Sequence, residues 1–194
     1  MWPDVARRSF IVGTLAVASP WASVQAAEPL TIGAARGTIN FAIGDSRLFR
    51  TTGTFRDWQG KVRVDEADVP RSAVEVTVRT GSIEMLDEQQ TTMMKNDDFF
   101  DVERFPEMLF RSVQIERTGE STLKVQGFIT LRGITRPMTL DVSVTDRRPD
   151  APPGKRYARF RGTGSLKRSE FGMTKFVDVV GDTVDISITT DAWR

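Results

Sequence analysis

The sequence has 194 residues and nearly balanced charge, with 27 basic residues, 26 acidic residues and a formal net charge of +1. A nucleic-acid-binding protein would show a basic excess, so the balance argues against that class. The sequence contains no cysteine and no histidine. It therefore excludes disulfides, Ser-His-Asp and Cys-His nucleophile systems, and the usual ligands of zinc, copper and haem.

Residues 1–26 have the layout of a cleavable export signal. Arg7 and Arg8 form the basic start, and the apolar run Phe10–Ala18 is shorter than the roughly 20 residues that span a bilayer. The residues around the arginine pair also fit a twin-arginine signal, with an ordinary secretory leader as the alternative. We expect cleavage after Ala26, with Ala27 as second choice, and export to the periplasm of a Gram-negative bacterium. Residues 27–194 are then a single domain.

Apolar and polar residues alternate with a period of two through most of this domain. The alternation is clearest over Ser72–Thr80, Thr122–Arg132, Pro137–Asp146 and Val184–Thr189. Further strands are predicted at Leu30–Ala35, Thr38–Ile43, Thr51–Asp57, Lys61–Asp65, Leu109–Arg117 and Tyr157–Lys167. A turn is predicted at Trp58-Gln59-Gly60. Strands with one apolar and one wet face are typical of antiparallel sheets.

One segment, Ile83–Lys95, departs from the strand pattern. Its residues favour a helix, with an apolar face that includes Met85, Leu86 and Met93. We expect one or two helical turns that cross between strands. The methionines would either line a ligand site or fill gaps where the helix meets the sheet.

The apolar faces of the strands must be buried against something, and either a sandwich or a closed barrel would do this. Gly162 and Gly164 lie inside a predicted strand, which favours a curved sheet. A barrel of about eight strands either fills with side chains or holds one small ligand. Periodicity leaves both options open.

Four motifs in chain order carry a family resemblance. They are Ile39–Phe41 with Gly53–Gly60, Asp98–Val102 with Phe105-Pro106 and Phe110–Ser112, Gly127–Leu140, and Lys167–Met173. Together they resemble the YceI-like family of polyisoprenoid-binding proteins, over about Leu30 to Asp191. One departure is clear: family members commonly carry histidines near the first strand and on the helix. Here the helix segment reads Gln-Thr-Thr-Met-Met over 90–94.

The resemblance implies an all-β fold, an extended antiparallel lipocalin-like barrel of about eight strands with one short crossing helix. It implies an apolar tunnel for a long-chain isoprenoid or a similar amphiphilic lipid, such as an isoprenoid quinone, with no catalysis and no other cofactor. A membrane cytochrome partner and a homodimer are further expectations of the resemblance. Nucleic acid is not expected as a partner.

Large apolar residues in the motifs and on the helix are the candidates for the tunnel lining, with ordinary core packing as the alternative for each. They are Phe41, Phe55, Trp58, Met93, Phe100, Phe110, Met138, Phe171 and Met173. Phe128 is the weakest such candidate, because it alternates out of register with its neighbours and would face outward. Head-group candidates are Arg56, Lys167 and Arg168, each with solvated surface charge as the alternative.

Two other function classes are weighed against a lipid carrier. An enzyme would need paired carboxylates with pKa values pushed apart, and Asp98, Asp101 and Glu170 occur in turn-like places. A ligand-free interaction or stress-response module would have a barrel filled by side chains. A carboxylate-only calcium site over Asn96–Asp98 with Asp101 lacks the spacing of a known calcium loop, so a solvated acidic turn is favoured and no metal is predicted.

Overall fold

The structure, a computed structural model, describes residues 29–44 and 50–193. The expected export signal lies outside these residues. The described part contains eleven strands and two short α-helices. The strands are β1 Leu30–Gly33, β2 Gly37–Ile43, β3 Thr51–Phe55, β4 Trp58–Arg63, β5 Ala73–Arg79, β6 Ile83–Met85, β7 Glu107–Arg117, β8 Thr122–Leu131, β9 Ile134–Thr145, β10 Arg156–Lys167 and β11 Thr183–Trp193. The helices are α1 Glu88–Met94 and α2 Val177–Val180.

The strands form one closed antiparallel barrel. Eight of them make the ring in the order β1-β4-β5-β7-β8-β9-β10-β11, and the pairing of Thr31 with Trp193 joins β11 back to β1. The remaining strands extend the same sheet. Strand β2 pairs with β11 on the edge that also meets β1, β3 pairs with β2, and β6 pairs with β3. This architecture confirms the predicted eight-strand antiparallel barrel with a crossing helix.

Three of the long strands are bent, which explains why eleven segments make an eight-strand barrel. A 3₁₀ turn at Ala34–Arg36 separates β1 from β2, residues 56–57 separate β3 from β4, and a 3₁₀ turn at Thr80–Ser82 separates β5 from β6. The bends lie side by side, because the amide of Arg56 donates to the carbonyl of Ser82 at 3.1 Å. The turn predicted at Trp58-Gln59-Gly60 is wrong, since those residues are already in β4 and pair with β5.

The helical prediction over Ile83–Lys95 is partly wrong. Residues Ile83–Met85 form β6, because they pair with β3 through Gly53 and Met85, and tertiary pairing overrides local helix propensity. The helix begins only after Asp87, whose side chain accepts from the amide of Gln90 at 2.9 Å as an N-cap. Leu86, placed on the predicted apolar face, is 99% exposed.

Within residues 29–44 and 50–193, no helix is long and apolar enough to cross a membrane.

Candidate functional site: an apolar cavity in the barrel

The inside of the barrel is not filled. A cavity of about 320 Å³ lies between two buried clusters of side chains, and its volume is in the range of pockets that hold small organic ligands. Inward-facing valines, isoleucines, leucines, methionines and phenylalanines make up most of the wall. The polar side chains in the described wall are Thr51, Gln90, Arg168, Lys175 and Thr190, with no carboxylate among them.

A glycine in β10 helps to keep the cavity open. Gly162 faces inward between Val142 and Ile188 of the neighbouring strands. A β-carbon added there would lie 3.7 Å from Val142 and 3.8 Å from Ile188, which are ordinary contact distances. Gly164 is different, because its β-carbon would lie 2.7 Å from the carbonyl oxygen of Thr139. Gly164 therefore serves a close approach of two strands, whereas Gly162 leaves space in the cavity.

Three phenylalanine rings form a continuous contact along one side of the wall. The centroids of Phe41 and Phe55 are 5.6 Å apart with the rings tilted by 41°, and Phe100 meets Phe55 edge-on at 5.6 Å. Such tilted and edge-to-face pairs are favourable arrangements of aromatic rings. Phe100 belongs to the connection between α1 and β7, so this contact holds that connection against the barrel.

The same connection is tied down by hydrogen bonds to its carbonyls. Arg132 Nη1 donates to the carbonyl oxygens of Asp97, at 2.7 Å, and of Phe99. The hydroxyl of Thr80, which is fully buried, donates to the carbonyl of Phe105 at 2.6 Å. Phe99 and Phe100 of the Asp98–Val102 motif are therefore a fixed part of the cavity wall.

The cavity meets solvent where its wall residues are exposed, at Gln90 of α1 and at Lys175 and Phe176 of the β10–β11 connection. We call these three residues the mouth. The Lys175 ammonium pairs with Asp98, which links the β10–β11 connection to the α1–β7 connection. Phe176 has a left-handed backbone with φ of 60° and is 48% exposed. A half-exposed aromatic ring on a left-handed, sparsely populated backbone conformation therefore lies beside the opening.

The opposite end of the β10–β11 hairpin, which we call the far end, is closely packed. Tyr157, Ala158 and Ala192 are buried but lie outside the cavity wall. The Tyr157 hydroxyl donates to Glu66, and Glu66 also pairs with Arg147. Burial, with the Glu66 hydrogen bond, raises the pKa of Tyr157 above its ordinary value of 10.0. The cavity is therefore open to solvent at the mouth and packed at the far end.

Arg168 is one of the two charged residues in the described wall, with Lys175, and it is only 4% exposed. Its Nε donates to the carbonyl of Gly181 at 2.9 Å, and its Nη1 donates to the carbonyls of Met173 at 3.2 Å and Lys175 at 2.7 Å. Burial lowers the pKa of the guanidinium, and the charge of Asp182 opposes that effect. Arg168 thus holds the β10–β11 connection in place from inside the barrel.

Most of the residues predicted to line a tunnel lie in the cavity wall. Those in the wall are Phe41, Phe55, Trp58, Met93, Phe100, Phe110, Met138 and Met173. Phe171 does not line the cavity, because it sits in a 3₁₀ turn and is fully buried among the side chains of the second core cluster. Phe128 faces outward, 47% exposed, opposite Pro137.

The three head-group candidates lie in different places: one is in the cavity wall and two are on the outer surface. Arg168 is in the wall, as described above. Arg56 is on the outer surface beside the bend of the sheet, where it pairs with Glu84. Lys167 is exposed at the end of β10, opposite Thr183, and is not part of the wall. Neither of these two can reach a ligand held inside the barrel in this conformation.

Some wall residues were not predicted from the sequence. Lys175, Phe176 and Val180 come from the β10–β11 connection and α2. The apolar run Phe-Val-Asp-Val-Val that follows the Lys167–Met173 motif is the signal that could have indicated them. Smaller wall residues such as Val142 and Ile188 were in the alternating pattern but were not counted as lining.

The acidic turn over Asn96–Asp98 makes internal hydrogen bonds. The side chain of Asn96 accepts from the amide of Asp98 at 3.1 Å, and its carbonyl accepts from the amide of Asp101 at 2.8 Å. In the described ranges, no group of three or more acidic side chains is placed to hold a metal ion.

Comparisons with known proteins place this geometry in a family. The family model described as "YceI-like domain" matches residues 30–192. A UPF0312 protein of Ectopseudomonas mendocina is 30% identical over 80% of this chain and 81% of its own length. Protein YceI of Salmonella newport is 28% identical over 79% of each chain.

Two solved structures share the fold. BcnA of Burkholderia cenocepacia superposes with a TM-score of 0.70 at 24% identity, over 83% of this chain and 98% of that one. A polyisoprenoid-binding domain from Saccharophagus degradans superposes with a TM-score of 0.60 at 10% identity, over 85% and 97% of the two chains. The matched residues span the whole barrel and its cavity, and this chain therefore belongs to the YceI-like family.

Proposed function

We propose that this protein is a periplasmic carrier that holds a long-chain isoprenoid, or a similar amphiphilic lipid such as an isoprenoid quinone, inside its barrel. The observation that carries the proposal is the cavity of about 320 Å³ with an almost entirely hydrocarbon wall. A structural relative described as a polyisoprenoid-binding domain supports the choice of lipid class. The export signal expected at residues 1–26 supports the compartment.

The physical basis of binding is burial of the lipid tail. Each CH₂ group removed from water contributes about 0.8 kcal/mol, so one five-carbon isoprene unit contributes up to ~4 kcal/mol before costs. An exposed ion pair contributes only about 0–1 kcal/mol. Loss of translational freedom and ordering of the tail offset a large part of the gross gain. The tail therefore supplies most of the affinity, and polar groups set its orientation.

The carrier proposal can be tested by filling the cavity from Gly162. A Gly162→Leu side chain begins at ordinary contact distances from Val142 and Ile188 and extends into the volume that the lipid would occupy. We expect the variant to fold and to lose uptake of added prenyl lipid or quinone by at least about tenfold. Thr163→Leu is the matched control, because Thr163 is the next residue of β10 and is exposed on the outer face.

Equal uptake by the Gly162→Leu variant and the wild-type protein would contradict the proposal, provided that both show the same thermal unfolding. The protein would then fit the ligand-free interaction module considered from the sequence. A membrane cytochrome partner and a homodimer stay predictions of the family resemblance.

A further inference from the structure

The charges in the cavity wall are of one sign. The wall within the described residues contains the cations Arg168 and Lys175 and no carboxylate. The Lys175 ammonium is already matched by Asp98, outside the wall. Of the two cations, Arg168 is the buried one. Its hydrogen-bond partners therefore decide which donor atoms remain for a ligand at this end of the cavity.

The guanidinium of Arg168 has an unused donor. Nε and Nη1 donate to three backbone carbonyls, whereas Nη2 donates to no acceptor among residues 29–44 and 50–193. In the same residues Arg168 forms no ion pair. The nearby carboxylate of Asp182 is engaged by Ser169, from its amide at 2.8 Å and its hydroxyl at 2.7 Å.

Nη2 is not among the fully buried unpaired side-chain atoms of the described residues, so it keeps some accessible surface that water can occupy. A lipid that displaces this water leaves a cation with an unpaired donor, which is unfavourable unless the lipid itself supplies an acceptor. A neutral oxygen would accept the hydrogen bond but would add nothing to the partial compensation of the charge by Asp182. An anionic oxygen does both, and guanidinium hydrogen bonds to carboxylate or phosphate are among the strongest in proteins. The apolar wall around Arg168 strengthens that preference, because the local dielectric constant is low.

The position of Arg168 also sets the orientation of the ligand. Its Nη1 donates to the carbonyl of Lys175, so the guanidinium lies next to a residue of the mouth. We infer that, in the lipid complex proposed above, an anionic head group of the carboxylate or phosphate class accepts a hydrogen bond from Nη2 of Arg168. The tail then runs from the mouth towards the far end.

The inference is tested with two probes that share one tail, farnesyl phosphate and farnesol, titrated into the full chain below their aggregation limits. The wild-type protein is expected to bind farnesyl phosphate at least about tenfold more tightly, the size of one charge-assisted hydrogen bond. Inorganic phosphate alone is expected not to displace farnesyl phosphate, because the tail supplies most of the affinity. Displacement by inorganic phosphate would show that the phosphate group alone supplies the affinity, and it would overturn the inferred complex, in which the tail lies inside the barrel.

Variants test whether Arg168 causes the preference for farnesyl phosphate over farnesol. Arg168→Gln should reduce the ratio of the two dissociation constants towards one, and Arg168→Lys should retain part of it. Lys167→Gln is the matched control, because this neighbouring cation is outside the wall, and its ratio should equal that of the wild type. Should Arg168→Gln fail to fold, the wild-type ratio and the Arg168→Lys ratio decide the question.

The outcomes separate the two proposals. Binding of neither probe would contradict the lipid-carrier function itself. Equal binding of farnesol and farnesyl phosphate to the wild-type protein would overturn only the anionic head group and leave the carrier function standing. An unchanged ratio in a folded Arg168→Gln variant would overturn the role of Arg168.

Discussion

The mouth and the far end of this barrel differ in the side-chain contacts that hold them and in how exposed those side chains are. At the far end, Asp191 accepts from Arg159 at 2.8 Å and also pairs with Arg156, and the Arg36 guanidinium stacks 3.5 Å from the ring of Trp193. At the mouth, the Lys175–Asp98 pair is exposed, and Val179 of α2 is 82% exposed. The far end is held by ion pairs among partly buried side chains, whereas the mouth presents exposed side chains on a connection that Arg168 holds through its backbone carbonyls. Binding sites are commonly taken from the less stable parts of a fold, and the lipid proposed above would enter at the mouth.

The largest expected effect contrasts a buried phenylalanine with one at the mouth. Phe171→Ala removes a fully buried ring and should lower the free energy of unfolding by about 3–5 kcal/mol. Phe176→Ala removes a half-exposed ring and should cost less than about 1 kcal/mol. Denaturant titration of both variants measures the difference, and equal losses would contradict the contrast between core and mouth.

A smaller effect is expected at the far end from Tyr157→Phe. The variant keeps the buried ring but loses the hydrogen bond to Glu66, which still has Arg147 as a partner. We expect a loss of about 1–2 kcal/mol in the free energy of unfolding, with no change in lipid uptake. A change in uptake would show that the far end takes part in binding.

The pH dependence of stability should follow the Asp191 network. The hydrogen bond from Arg159 is the largest cause that holds the pKa of Asp191 below its ordinary value of 3.8, while burial opposes it. The folded-state pKa is therefore lower than the unfolded-state pKa, so the stabilisation is present above about pH 4 and is lost as the pH falls through the folded-state value. Asp191→Asn should flatten this acid limb in thermal unfolding curves; an identical acid limb would exclude Asp191 as its source.

The smallest effect on stability is expected from Lys175→Met. The pair that it breaks is exposed, with 43% and 40% of the two side chains accessible, so the free energy of unfolding should change by less than about 1 kcal/mol. Release of bound lipid should nevertheless become faster, because the pair links the two connections at the mouth. Stopped-flow measurement of lipid release checks this, and an unchanged rate would show that the pair does not restrain the mouth.

Much of the barrel was predictable, because period-two alternation is a direct consequence of the strand pleat. The strands predicted at Pro137–Asp146 and Val184–Thr189 were found in this way; they correspond to β9, which ends at Thr145, and to β11. The bend at residues 56–57 was not predicted. The turn was placed at Trp58-Gln59-Gly60 instead, because the glycine gave a local turn signal and residues 56–57 gave none. Pairing with distant strands decides such boundaries.

The site was predictable where residues were large and within motifs. The wall positions of Phe55 and Phe110 followed from the motifs, but the exclusion of Phe171 did not, because burial in the core and exposure to a cavity give the same apolar signal in a sequence. The special position of Arg168 depends on the carbonyls of a connection 5–13 residues further along the chain. Such long-range hydrogen bonds leave no pattern in composition or spacing.

The most direct test of the central claim is native mass spectrometry of the protein purified from its own periplasm, followed by organic extraction of the bound material. The account predicts a stoichiometric long-chain adduct that persists in Thr163→Leu and is absent from Gly162→Leu. A bare protein mass, with no uptake of added prenyl lipids or quinones by the wild-type protein, would contradict the carrier function.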